Sequence, residues 1–206
     1  MVTGPILMIG DSITDAGRPR DTDGLGFGWV KLVADALYGR GVVLNRGIGG
    51  DRVADLRARW SHDVVALAPS VLTVLIGIND VAGRYGGAGP VTSGAFDADY
   101  RAILTQAFEA AAPGLILMEP FLACAVGDGK AVWHDDLDPK REVVARLADE
   151  FAGEFVPLQA LVDKASVQYG AQAVACDGIH PSPLGERLIA EAWLGAYGRL
   201  YDWETA

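Results

Sequence analysis

The 206-residue chain is predicted to be an α/β protein, a three-layer α/β/α sandwich around a central five-stranded parallel sheet. Two observations predict this. Short apolar runs alternate along the chain with longer segments of helical period, the pattern of a parallel sheet covered by helices on both faces. Half of the residues are hydrophobic, so a chain of this length can bury a substantial core without disulfide or metal staples.

The elements follow in order. Ile6 to Ile9 is the first apolar run and ends at once in Gly10-Asp11. Val42 to Leu44, Val71 to Ile76, Leu115 to Met118 and Phe155 to Val156 supply the other four strands. Between and after them, Trp29 to Tyr38, Val53 to Trp60, Phe96 to Ala111, Lys140 to Phe151 and Leu184 to Tyr197 carry the helical period. In the third of these, Phe96, Tyr100, Ile103, Ala107 and Ala111 recur at spacings of three and four, which buries one helix face. The glycine-rich stretch from Gly83 to Gly94 and the segment from Ala123 to Pro139 are the longest expected loops. Both follow the carboxyl ends of strands, the side on which open parallel sheets bind ligands. No internal repeat, charge block or low-complexity tract divides the sequence, so residues 1–206 are expected to form one domain.

Charge and cysteine content exclude several functions. With 27 acidic against 17 basic residues the formal net charge is -10, which opposes a phosphate backbone or an anionic membrane surface. No nucleic-acid or membrane partner is expected. Cys124 and Cys176 lie far apart without CxxC spacing, so they read as buried small hydrophobes and not as a disulfide framework or a metal cluster. The segment Met1 to Pro5 lacks a basic stretch and the first apolar run is too short for a signal peptide, so a cytoplasmic location is expected.

Four loops carry candidate chemistry. Ser12 stands just beyond the first strand in Gly10-Asp11-Ser12-Ile13-Thr14-Asp15, where a nucleophile belongs, although a serine there also serves as a turn or cap residue. Asp177-Gly178-Ile179-His180-Pro181 sets a carboxylate three residues before an imidazole. That spacing lets the carboxylate accept from Nδ1 and leaves Nε2 as a base; a surface pair or half a metal site is the alternative. No second histidine or cysteine cluster accompanies the pair, which weighs against a metal. Asn45-Arg46-Gly47-Ile48-Gly49-Gly50-Asp51 and Gly77-Ile78-Asn79-Asp80 follow the second and third strands. A glycine amide with an asparagine amide can stabilise a developing oxyanion, whereas Asp51 and Asp80 read as turn or cap residues. Neither phosphate-cradling glycine motif is present.

Taken together, Gly10-Asp11-Ser12, the second-block glycine, Gly77-Ile78-Asn79-Asp80 and Asp177-Gly178-Ile179-His180 resemble the ordered blocks of the SGNH (GDSL) hydrolases, and the match runs over essentially the whole chain. The resemblance implies a flavodoxin-like sandwich and a serine esterase that needs no cofactor and no metal. It makes Ser12 the nucleophile, His180 its base and Asp177 the orienting acid. The oxyanion hole would be the amides of Ser12 and Gly50 with the side chain of Asn79. Gly50 is preferred to Gly47 or Gly49 because the family's N-x-x-x-x-G-[DN] pattern places its last glycine there.

Within the family the chain is most similar to bacterial carbohydrate acetylesterases, particularly the acetylxylan esterase group. Asp55-Leu-Arg-Ala-Arg-Trp60 and Glu119-Pro-Phe121 add to the likeness. An aromatic residue often precedes the catalytic aspartate in that group, whereas Cys176 does here. The substrate implied is a short acyl ester, acetyl in the first place, on a small molecule or an oligosaccharide, and relatives of this kind form homo-oligomers. Thioesterases and lysophospholipases use the same triad, and a non-catalytic binding protein can retain the fold. No serine sits in GxSxG, which argues against the α/β-hydrolase elbow. Trp29, Tyr85 and Trp133 are candidates for a pocket wall, with core packing as the plainer role.

Overall fold

In a computed structural model of the chain, residues 4–86, 89, 91–124 and 129–201 are described. Five strands, β1 (Ile6–Gly10), β2 (Val43–Gly47), β3 (Val71–Leu75), β4 (Gly114–Met118) and β5 (Glu154–Val156), form one sheet in the order β2-β1-β3-β4-β5. Every neighbouring pair is parallel. The fold class read from the sequence is therefore the one observed. All five predicted strands form, with β2 running on through Asn45 and Arg46 and with Ile76 lying just beyond β3.

Side-chain alternation along the strands divides the core into two layers. Ile6 and Met8 of β1 and Ile116 and Met118 of β4 join the layer beneath helices α2 (Trp29–Ala36), α7 (Leu158–Tyr169) and α9 (Pro183–Tyr201). Leu7 and Ile9, with Leu115 and Leu117, face the opposite layer beneath α3 (Val53–Asp63), α5 (Ser93–Ala111) and α6 (His134–Glu150). Two buried strand residues are polar, Asn45 of β2 and Thr73 of β3; the Thr73 hydroxyl accepts from Trp193 Nε1 at 2.8 Å and satisfies an indole that is itself fully buried.

The helices depart from the sequence reading at several points. Residues 78–85 form a helix, α4 (Ile78–Tyr85), entered through Gly77 at φ +136°, so the loop expected from Gly83 starts only at Gly86. α5 starts at Ser93 behind a Thr92 cap, which shortens the same loop from its other end. Residues 87, 88 and 90 of that stretch, and 125–128 of the second expected loop, lie outside the described residues. α6 begins at His134 and runs through Pro139, where a loop was expected. Pro139 forfeits one hydrogen bond near the helix start, but Leu137 ahead of it is fully buried and anchors the first turn. α7 was not anticipated; Leu158, Val162 and Ala165 give it a buried stripe directly after Pro157. Two short helices, α1 (Ser12–Asp15) and α8 (Ala171–Val174), complete the set among the described residues.

The strand order decides where a ligand can sit. β1 is paired with β2 on one side and β3 on the other, and the chain reverses direction across the sheet at that point. Parallel sheets open a crevice beyond the carboxyl ends at such a switch. In register, Gly10 lies level with Gly47 and with Leu75, so the loops after β1, β2 and β3 emerge side by side.

Candidate active site

Ser12 is the first residue of α1, immediately after the strand β1 and the cap Asp11. Asp11 is buried and its Oδ1 accepts from Ile13 N at 3.0 Å, which tightens the turn that presents Ser12. Burial pushes the Asp11 carboxyl up to about 7, against the lowering effect of that amide and of nearby His180. The backbone of α1 passes close to β2: a Cβ on Gly47 would lie 2.2 Å from Asp15 N, so no other residue fits there. The Asp15 carboxylate reaches the next loop, accepting from Gly49 N at 3.2 Å.

His180 and Asp177 sit in a loop closed by an isolated antiparallel bridge between Ala175 and Pro181, ahead of α9. Asp177 Oδ1 accepts from the amides of Ile179 at 2.9 Å and His180 at 2.8 Å, and this fixes the carboxylate. Its Oδ2 lies 2.7 Å from His180 Nδ1. Partial burial alone would raise the Asp177 carboxyl, but the hydrogen bonds from the His180 ring and from these two amides outweigh it and hold the group at about 2. An ionised acceptor at Nδ1 selects the tautomer with the proton there, leaving Nε2 as the lone-pair nitrogen. Nε2 is 2.9 Å from Ser12 Oγ. The three residues drawn from opposite ends of the sequence therefore form a continuous hydrogen-bond relay.

The predicted oxyanion donors come from the two neighbouring loops. Ile48–Asp51 is a tight turn, with Asp51 N donating to Ile48 O at 3.3 Å and Gly50 at φ +87°. That conformation requires glycine at position 50 although a Cβ would meet nothing within 4 Å. Gly49 lies against the serine, the Cβ position of the glycine being 3.7 Å from Ser12 Cβ. Asn79, in the first turn of α4, donates from Nδ2 to Asp51 O at 3.0 Å, so its amide is held against the Gly50 turn with a second hydrogen on the same nitrogen.

Asp80 and Asp51 have structural partners. Asp80 is buried with Oδ2 accepting from Val53 N at 3.3 Å, which caps α3 from the first turn of α4; burial raises its carboxyl to about 7. Asp51 pairs with Arg59 at 2.8 Å. Of the aromatic candidates, Trp29 is wholly buried in the core. Tyr85 stacks on Trp133 with ring centroids 5.0 Å apart and planes 8° from parallel, and Tyr85 is exposed. Cys176, expected to be buried, is exposed beside Asp177, while Cys124 is half-buried. The place of Cys176 in the loop closed by the Ala175–Pro181 bridge, outside the core, accounts for the difference.

A cleft of about 280 Å³ opens next to His180, lined by Phe27, Leu32, Pro181, Pro183, Glu186 and Arg187. Phe27 is two-thirds exposed at its rim. Glu186 accepts from Trp29 N at 2.7 Å, and burial raises its carboxyl to about 7. Sequence reasoning singled out neither this cleft nor Lys130, whose ammonium donates to the Asp177 carbonyl and lies 5.8 Å over the Trp133 ring. Both are assembled from distant segments, so no local motif marks them. Among the described residues no three His, Cys, Asp or Glu side chains group as metal ligands, and no helix is long and apolar enough to cross a membrane.

With this geometry in hand, comparison with known proteins is specific. Residues 8–188 match the model of the GDSL-like lipase/acylhydrolase family. The acetylxylan esterase of Geobacillus stearothermophilus is 35% identical over 211 aligned residues, covering 96% of this chain and 94% of that one. Its crystal structure superposes with a TM-score of 0.87 at 33% identity, over 100% of this chain and 98% of the other. A structure from Parabacteroides merdae described as a GDSL-like lipase superposes with a TM-score of 0.88 at 34% identity, over 95% of each chain. Catalytic mutants of the Geobacillus esterase replace a serine, an aspartate and, three positions after the aspartate, a histidine with alanine.

Proposed function

Because this chain belongs to the GDSL-like lipase/acylhydrolase family and is a carboxylic ester hydrolase, we propose that it removes acetyl groups from carbohydrate esters. In this reading Ser12 is the nucleophile, His180 its base and Asp177 the acid that orients the imidazole. The observation that carries it is the unbroken relay from Asp177 Oδ2 through both ring nitrogens of His180 to Ser12 Oγ.

The chemistry proceeds in two halves. Ser12 Oγ bonds to the acetyl carbon while its proton passes to His180 Nε2, and the carbonyl π electrons move onto oxygen. That oxyanion is received by the amides of Ser12 and Gly50 and by Asn79 Nδ2. As the intermediate collapses, the sugar oxygen leaves with the proton from His180, and acetyl remains on Ser12. Water, deprotonated by the same nitrogen, then attacks the acetyl carbon, and as this second intermediate collapses the bond to Ser12 Oγ breaks, His180 returns the proton to Oγ and acetate is released. Throughout, the Asp177 carboxylate stabilises the imidazolium without taking its proton.

The cleft beside His180 supports a sugar as the alcohol half of the ester. Phe27 and the two prolines present apolar surface to the C–H face of a pyranose, and Arg187 supplies donors for its hydroxyls. The Geobacillus relative, which is an acetylxylan esterase, supports the same substrate class. The test is an acyl-chain series on p-nitrophenyl esters together with acetate release from acetylated xylooligosaccharides. Acetyl is expected to give the highest kcat/KM, and Ser12→Ala is expected to abolish turnover with an unchanged melting curve. Faster hydrolysis of octanoyl than of acetyl esters refutes the acetyl assignment, and retained activity in Ser12→Ala refutes the nucleophile.

A further inference from the structure

Arg59 lies outside the Ser12-His180-Asp177 relay, yet it joins the loops that surround it. It projects from the second turn of α3 with its side chain only 17% exposed, and all three guanidinium nitrogens are engaged. Nε donates to Asp51 Oδ2 at 2.8 Å, Nη1 to Asp63 Oδ2 at 2.7 Å and Nη2 to the Gly10 carbonyl at 3.3 Å. Gly10 is the last residue of β1, two positions before Ser12, and its carbonyl also accepts from Ile48 N at 3.1 Å. Asp51 closes the turn that carries Gly50, and its carbonyl is the acceptor for Asn79. One cation thus holds the end of the nucleophile strand, the side chain that ends the Gly50 turn and, through that residue's backbone, the amide of Asn79.

We infer that Arg59 is a positioning residue for the oxyanion pocket, fixing the Gly50 turn and the Ser12 turn relative to each other through its three-way pairing with Asp51, Gly10 and Asp63. The inference rests on the roles proposed above for Ser12, Gly50 and Asn79. The geometry favours this over a plain stabilising ion pair. A pair that served stability alone needs only Asp63, one turn along the same helix, whereas two of the three bonds leave α3, one for the end of β1 just ahead of Ser12 and one for the loop after β2. The planar fork of arginine can satisfy three acceptors in fixed directions, which the single ammonium of lysine cannot. Partial burial raises the Asp51 carboxyl and Arg59 opposes that rise, so the guanidinium also favours the ionised acceptor it needs. Donors aimed at an oxyanion lose effect steeply when displaced by about 1 Å, so a loosened turn reports itself in turnover.

The test compares Arg59→Met, Arg59→Lys and Asp51→Asn with wild type, reading kcat and KM on p-nitrophenyl acetate and inhibition by phenylboronic acid, whose tetrahedral serine adduct places an oxygen in the pocket. Arg59→Met is expected to lower kcat about 10- to 100-fold with KM within about twofold, and to weaken boronate binding by a similar factor. Arg59→Lys is expected to fall between. A merely structural arginine predicts instead a lower Tm with kcat and boronate affinity within about threefold of wild type, and that result overturns the inference. Should Arg59→Met fail to fold, Asp51→Asn decides: it keeps the size of the side chain and weakens one pairing, and an unchanged kcat and boronate affinity there overturn the inference equally. A wild-type chain that neither cleaves the ester nor binds the boronate refutes the functional reading itself, an outcome distinct from active wild type with unaffected variants.

Discussion

Asp177 holds the most informative single side chain, because it occupies two roles at once. One oxygen closes the loop by accepting two amides, and the other faces the imidazole. Asp177→Asn separates them. The amide oxygen can still take the backbone donors, but an NH₂ or a neutral carbonyl opposite Nδ1 neither selects the tautomer as firmly nor stabilises the imidazolium. A loss in kcat on the order of 10³ to 10⁴ is expected, by analogy with other serine triads, with little change in Tm. Activity within about tenfold of wild type, roughly 1.4 kcal/mol in barrier, would leave a Ser12-His180 dyad as the better description. These residues were legible in the sequence because each sits in a short local pattern: a strand end, a DxxH loop, a glycine turn. Arg59 was legible only as part of Asp55–Trp60, since its partners at positions 10, 51 and 63 come from three segments and nothing in their spacing connects them.

Among the elements, β3 contains the clearest compromise. Thr73 points its hydroxyl into an apolar layer, and the polar group is tolerated because Trp193 of α9 supplies a donor at 2.8 Å. Thr73→Val keeps the shape and leaves the indole N–H buried without its acceptor. The expected destabilisation is about 1–3 kcal/mol, or roughly 2–4 °C in Tm for each kcal/mol in a chain of this size. A denaturant midpoint indistinguishable from wild type would show that the indole finds another partner. Element reading from sequence succeeded where burial on both faces made an apolar run or where a helix repeated a wide apolar stripe, as in Phe96 to Ala107. It missed α4, whose eight residues include a glycine and merge into a glycine-rich run, and it began α6 only after Pro139, six residues late. In both cases local propensity pointed away from helix, and packing of Ile78, Val81 and Leu137 into the core decided otherwise.

The molecule as a whole carries an unusual proton balance. Asp11, Asp80 and Glu186 are each held near pH 7 by burial, far above the range of exposed carboxylates. Between the unfolded values near 4 and the folded values near 7, the folded chain binds more protons than the unfolded one. Unfolding free energy therefore falls as pH rises through that window. Asp177, held at about 2, acts oppositely: its contribution is present above the unfolded value and disappears as pH falls toward 2. Greatest stability is expected on the acid side of neutrality, with Tm lower at pH 8 than at pH 5. Glu186→Gln retains an acceptor for Trp29 N and is expected to shrink that difference, whereas a variant with the same Tm drop between pH 5 and 8 would exclude Glu186 as a contributor.

The relay between Ser12 and His180 spans 168 positions of the chain. On a ribosome, β1 emerges first and becomes an interior strand of the sheet, flanked by β2 and β3, which are made after it. The histidine that completes the relay appears among the last elements, just before α9. At about 5–20 residues per second of synthesis, Ser12 waits roughly 8 to 34 s for its partner His180. A nascent chain halted before His180 thus carries Ser12 but lacks the imidazole that would take its proton. Under the roles proposed above, ester cleavage by a stalled ribosome complex reports that the His180 loop has cleared the exit tunnel and docked.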